Sequence, residues 1–415
     1  MENLSISACL IHPLAIEVCK ILNEHKYQAF IVGGCVRDLL LGQKPKDWDI
    51  TSDASPVEIL KIFPKTIPTG LQHGTVTVCM GEGVENHFEV TTFRIEGEYS
   101  DGRRPDEVVF VKNVEDDLAR RDLTINAIAY DPIADRFVDP YEGVQDLRLR
   151  TIRAVGNSVA RFQEDGLRIM RAARFAARFN YTMQSETFQG MAYSIDTLKK
   201  VSKERISDEL CKILMSDSPA YGLYLLKECG ALDIACPLLA GRQIPLLHCQ
   251  DECKGPLEVR LAFLYNKLPI PQVQQELLNL KFSNKEIKKV LFLLELVERF
   301  YILQEINAVS AYKDFMAFLK NQSPDPWDQT LQEFLQLARP MEIDAERVLD
   351  SYSQEVVLSR KEMQLNGDDL LADGMKAGVR IKITLDNCYL EILAHPEHNN
   401  KQKLLEVARN LWIPI

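Results

Sequence analysis

Residues 29–51 read AFIVGGCVRDLLLGQKPKDWDIT, and this stretch decides the fold of the first third of the chain. AFIV is an apolar run of strand length, stopped by Gly33-Gly34. CVRDLLL then reads as a short helix ending at Gly42, a residue suited to a helix C-cap. DWDI opens a second strand, in which Asp47 and Asp49 lie two residues apart and are expected to point to one face. Further on, GTVTV (residues 74–78) and HFEVTTF (87–93) are rich in β-branched and aromatic residues and read as strands. RRDLTINAIAY (120–130) begins a helix or strand that closes this mixed α/β unit.

From about Arg161 the pattern changes. QEDGLRIMRAARFAARF (163–179), VSKERISDELCKILMS (201–216), LNLKFSNKEIKKVLFLLELVERF (278–300) and KQKLLEVARNL (401–411) all carry apolar residues at a period near 3.6. The expected fold class is therefore α+β, an α/β head followed by an all-helical remainder. At 415 residues the chain is too long for one ordinary core, so two or more structural units are expected.

Composition narrows the function. No apolar run approaches the ~18 residues of a membrane helix. The N-terminal residues lack the pattern of a secretory signal, so no membrane role and a cytoplasmic location are expected. Ten cysteines are scattered without a disulfide framework and read as reduced, mostly buried thiols. His248, Cys249 and Cys253, with Cys236 nearby, give the one hint of a metal cluster. They lack the paired spacing of zinc modules, so structural thiols are expected there. The net charge of −11 argues weakly against a polyanionic partner. Eight arginines between Arg148 and Arg178 nevertheless allow a basic groove on an acidic chain.

The chemistry is concentrated in a few clusters. A lone DxD is most often a solvated strand edge. Here Gly33-Gly34 at a helix start and Arg37 one turn later stand just upstream. Together they make a phosphate cradle beside two carboxylates whose hard oxygens suit Mg²⁺. Two such ions would clamp an in-line phosphoryl displacement. Glu89 in HFEVTTF faces away from Phe88 and Val90 and is a candidate third carboxylate, or simply an edge glutamate. Arg120, Arg121 and Asp122 could meet a phosphate and a ribose, or form a helix-starting ion pair. Asp165, Arg168, Arg171, Arg174 and Arg178 are spaced along one expected helix face, and on this segment alone an exposed i,i+3 salt bridge with solubilising arginines is the favoured reading. Cytosine and adenine each offer an amino donor beside a ring-nitrogen acceptor. An Asp–Arg pair matches that order and leaves guanine and uracil unpaired, selecting C and A without a template.

In combination these segments resemble the ordered motifs of class II tRNA nucleotidyltransferases. GGCVRDLLLG…DWDI, HFEVTTFR, SDGRRPDEV, ARRDLTINAIA, DPYEGVQDLRLRTIRAVG, RFQEDGLRIMRAARF and ERISDELCKIL run almost continuously from Ile31 to Leu214. AHPEHNNKQKLLEVARN resembles the family's tail. GVRIKITLDNC near Gly378 fits that tail only loosely. The family includes CCA-adding enzymes, A-adding and CC-adding specialists, and bacterial poly(A) polymerases.

The resemblance implies a head (1–150), a base-recognising neck (151–215), a helical body (216–330) and a tRNA-binding tail (331–415). It implies two Mg²⁺ on Asp47 and Asp49, and the candidate catalytic set is these two with Glu89 from the strand reading above. The implied nucleotide-binding set is Gly33, Gly34, Arg37, Arg121, Asp122, Asn126, Asp165, Arg168, Arg171 and Arg174. Residues 94–105 match a flexible loop involved in the change from C to A. The expected activity is addition of C and A to the 3′ end of tRNA from CTP and ATP, on the acceptor arm, by a monomer or homodimer. A-only addition to CC-ended tRNA, poly(A) synthesis, and a catalytically silent tRNA-binding protein are the alternatives.

Overall fold

A computed structural model of the chain describes residues 6, 8–96, 108–241 and 251–411. The chain divides into two units, Met1–His248 and Cys249–Ile415.

In the first unit, α1 (Pro13–Glu24) leads into β1 (Ala29–Val32), α2 (Gly34–Leu40), β2 (Asp49–Ser52), α3 (Pro56–Ile62), β3 (Thr66–Gly70), β4 (Thr75–Cys79) and β5 (His87–Thr92). A separate antiparallel pair, β6 (Arg94–Glu96) and β7 (Val108–Phe110), precedes α4 (Val114–Ala119), β8 (Ala129–Asp131) and β9 (Arg136–Val138). The strands form one sheet in the order β3-β4-β5-β2-β1-β8-β9. All four residues of β1 are buried, as an apolar run with no polar face requires. Phe30, Val32, Phe93, Leu118 and Val155 pack into one cluster beneath the sheet. Each large apolar side chain buried there contributes about 1.5–3 kcal/mol.

Register positions the chemistry. β1 runs antiparallel to β2, with Ile31 opposite Ile50. The Gly33-Gly34 turn therefore leaves β1 at the end where Asp49 enters β2. β2 runs parallel to β5, with Asp49 beside Glu89. The expected strand DWDI begins two residues late: Asp49 is the first residue of β2 and Asp47 precedes it. The reason is that β1 ends at Val32, so nothing remains on that side for Asp47 to pair with. Alternation still holds, because Trp48 between them is buried against His12.

The segment expected to start a helix or strand at 120–130 forms neither at first. A single 3-10 turn (Thr124–Asn126) comes before β8. Helices then take over with α5 (Gly143–Leu149), β10 (Thr151–Ile152), α6 (Ser158–Glu164), α7 (Leu167–Phe179), β11 (Thr182–Met183), α8 (Ser185–Tyr193), α9 (Lys203–Leu214) and α10 (Pro219–Glu228). The alanines of α7 make close packing possible. A Cβ on Gly222 of α10 would lie 2.9 Å from the Ala177 side chain.

The second unit is helical throughout its described residues. The longest helix, Asn284–Ile306, opens with a capping box between Ser283 and Glu286. Phe300, Phe315 and Phe334 meet with ring centroids 5.4–5.7 Å apart. The loosely matching segment near Gly378 forms a helix, Val379–Ala394. Among the described residues, no helix is long and apolar enough to cross a membrane.

Candidate active site

A cavity of about 730 Å³ opens in the first unit. Of the thirteen residues expected from sequence, Gly34, Arg37, Asp47, Asp49, Arg121, Asp122, Asn126, Asp165, Arg168, Arg171 and Arg174 line it. Gly33 and Glu89 do not. Glu89 is exposed, yet it sits beside Asp49 in the sheet and adds to the negative potential there. Arg178 is not part of the lining. It is exposed and pairs with Asp38 at 3.8 Å.

Gly33 has φ +79, a conformation that L side chains avoid, and a Cβ there would lie 2.7 Å from Arg121 Nη1. The missing side chain lets Arg121 lie against the turn. Arg37, buried, donates to the Asn126 side chain and pairs with Asp38 at 2.7 Å. Burial pushes its guanidinium below the ordinary arginine value.

Asp49 carries the sharpest electrostatic signal. Burial, reinforced by Glu89 and Asp47 and opposed by Arg121, pushes its carboxyl up to about 6. The ordered carboxylates thus form a site whose negative charge is costly without a cation. A carboxyl raised on folding stabilises the fold while protonated, and that contribution is lost as pH rises through about 6. In chelator, Asp49→Asn should therefore be more stable relative to the wild type at pH 8 than at pH 4, by about 1–3 kcal/mol. Urea unfolding at the two pH values checks this, and an equal difference at both would refute the raised carboxyl.

Asp122 has the opposite environment. Burial alone would raise it, but Arg171, at 2.6 Å, and hydrogen bonds from Asn126 and Arg171 hold it well below the usual carboxylate range. Its Oδ1 also accepts from the Leu123 amide at 2.8 Å. Behind it, fully buried Asp117 pairs with Arg120 at 2.8 Å and Arg121 at 3.3 Å.

Asp165 lies between α6 and α7, not within one helix as its spacing to Arg168 suggested. The break is at Asp165, which is extended at φ −141 and ψ 108, while Gly166 has helical backbone angles and serves close packing. A Cβ there would come within 2.7 Å of the Thr197–Leu198 backbone, so only glycine lets the following 3-10 segment (Ile195–Lys200) pack against it. Asp165 Oδ1 then accepts from the Leu167 amide at 3.0 Å, satisfying one of the free N–H groups at the start of α7. Its Oδ2 accepts from Arg205 at 2.8 Å. Arg168, buried, donates to the Arg161 and Arg120 carbonyls at 3.1 and 3.0 Å and to Glu164, which fixes its guanidinium plane.

Sequence reading missed Arg205 and Glu209. They lie four apart on α9, where Arg205 holds Asp165 and buried Glu209 sits 3.1 Å from Arg174. The i,i+4 spacing in ERISDEL was the available signal. His73 and Arg94 also line the cavity, and Arg94 donates to the His73 carbonyl. Beyond Glu96, the expected specificity loop lies outside the described residues, as do His248 and Cys249. Cys253 is buried, its thiol pushed up to about 12 by burial, and Cys236 is buried as well, in keeping with structural thiols.

Residues 29–153 match the family described as the Poly A polymerase head domain. Residues 180–241 match the RNA- and SrmB-binding site of polymerase A, and 258–408 match tRNA nucleotidyltransferase domain 2. A CCA-adding enzyme of Lactobacillus johnsonii is 34% identical over 399 residues, 94% of this chain and 96% of its own length. The chain belongs to the CCA-adding enzyme family. A second member, from Ligilactobacillus salivarius, is 35% identical over 96% of both chains. The Bacillus stearothermophilus CCA-adding enzyme, solved in complex with CTP, is 29% identical, with a TM-score of 0.76 over 97% of this chain and 99% of its own. Membership of this family makes the chain a tRNA nucleotidyltransferase, with the expected α+β fold of an α/β head and a helical remainder.

Proposed function

We propose that this chain builds the CCA end of tRNA from CTP and ATP by a two-metal mechanism, with residues 1–150 as catalytic head, 151–215 as base-reading neck, and 216–330 and 331–415 as tRNA-gripping body and tail. The observation that carries it is one cavity lined by Asp47 and Asp49 on one side and by Asp165 and Arg168 on the other. Asp47 and Asp49, with Glu89 beside Asp49, would hold two Mg²⁺, which when bound neutralise charge at the α-phosphate and ease ionisation of the tRNA 3′-OH.

The remaining work falls to the protein. Arg37, Arg171 and Arg174 receive the triphosphate and the pyrophosphate it becomes, and the Gly33-Gly34 turn admits it closely. Arg121 and Asp122 meet the ribose, and Asp122 also holds Asn126 and Arg171 in place. Asp165 accepts from the amino group of cytosine or adenine, and Arg168 donates to the neighbouring ring nitrogen. The tRNA 3′ oxygen bonds to the α-phosphorus as pyrophosphate leaves. Body and tail hold the acceptor arm through its backbone and shape.

Purified protein is given tRNA ending at the discriminator base, in C, or in CC, with CTP and ATP. Extension of all three to CCA is expected. Extension of the CC-ended tRNA alone would establish A-only addition, and long A tails on unrelated RNA would establish a poly(A) polymerase.

A further inference from the structure

The nine residues RAARFAARF, ending α7, repeat an arginine–phenylalanine step every turn. Helical spacing stacks Phe175 on Phe179, centroids 6.0 Å apart and planes 7° from parallel. Three guanidiniums gather on the Phe175 ring. Arg174 Cζ lies 4.3 Å from its centroid, Arg37 Cζ 5.2 Å and Arg171 Cζ 5.7 Å. Arg174 and Arg171 come from the same helix, but Arg37 comes from α2. Arg37 is also 5.1 Å from the centroid of Phe179, and Phe175 itself lines the cavity.

Three like charges this close repel one another. Each has a carboxylate partner, Asp38, Asp122 or Glu209. Further carboxylates could quieten the cluster, but an anion facing the cavity would also repel a triphosphate. An aromatic face attracts a cation through its quadrupole and carries no net charge. We propose that Phe175 is a positioning residue, whose ring holds Arg37, Arg171 and Arg174 together in the arrangement that receives the triphosphate. The inference rests on the assignment of these arginines to the triphosphate.

Phe175 is also buried, so truncation would confound packing with electrostatics. Fluorination separates them, because each added fluorine drains the ring face with little change of shape. Full-length protein carrying mono-, di- and trifluorophenylalanine at position 175 should show KM for CTP and ATP rising stepwise, to about tenfold at trifluoro. The inhibition constant of inorganic tripolyphosphate, a probe without base or ribose, should rise in parallel, while kcat and Tm stay near wild type. A flat series in both constants overturns the inference. Arg171→Gln and Arg174→Gln serve as reference variants. If they weaken tripolyphosphate while the fluorinated series is flat, Phe175 is only packing. If they too leave tripolyphosphate unaffected, the triphosphate assignment itself is wrong, and the inference falls with it.

Discussion

Asp49→Ala is expected to fold normally and to lose nucleotide transfer by at least about a thousandfold, the scale of a lost metal-binding group at a reacting phosphate. Strand β2 is held by Ile50, Thr51 and Ser52, all buried, whereas Asp49 is only partly buried. Asp47→Ala, at an exposed position before the strand, should behave alike. Incorporation of labelled CTP across a Mg²⁺ titration, with circular dichroism to confirm folding, decides the matter. Either variant keeping more than about a tenth of wild-type turnover at saturating Mg²⁺ would contradict the metal assignment.

The second large effect concerns base choice. Asp165→Ala should lower use of CTP and ATP and relax the rejection of UTP and GTP. The change in the CTP/UTP ratio of kcat/KM should be about 10- to 100-fold, the 1–3 kcal/mol of a lost base-edge contact. The structure sharpens this expectation. Arg205 at 2.8 Å and the Leu167 amide hold the Asp165 carboxylate in place, so the base meets a fixed acceptor rather than a mobile one. An unchanged CTP/UTP ratio in the variant would make Asp165 a helix-capping residue and nothing more.

Much of this was legible in the sequence because it depends on short-range rules. Glycine stops and apolar runs marked β1 and α2, and alternation put Asp47 and Asp49 on one side of Trp48. Hydrogen-bond complementarity showed what an Asp–Arg pair could select, and the family resemblance pointed to Asp165 and Arg168 as that pair. What stayed hidden depends on distant parts of the chain meeting. Nothing local shows that β5 runs parallel to β2 and sets Glu89 beside Asp49, or that Glu89 stays outside the cavity lining. Asp165 is extended between α6 and α7, where the Thr197–Leu198 backbone, some thirty residues on, packs against Gly166, and it read as helical when it is not. Arg205 and Glu209 looked like ordinary solvated charges on an amphipathic helix until α9 packed against α7. Asp122 read as a ribose contact, and only its burial beside Arg171 shows how much of its capacity is already engaged.

One helix carries Arg168, proposed to read the base, and Arg171 and Arg174, proposed to receive the triphosphate. Six residues separate Arg168 from Arg174, roughly 9 Å along the axis at about 1.5 Å per residue. On that proposal helix α7 would act as a measuring rod laid along the nucleotide, with one mark at the base edge and another at the phosphates. Because backbone hydrogen bonds fix its length, the site gauges span as well as identity. An analogue with the correct base and an intact triphosphate, but with one extra atom joining sugar to phosphate, satisfies either mark alone and not both.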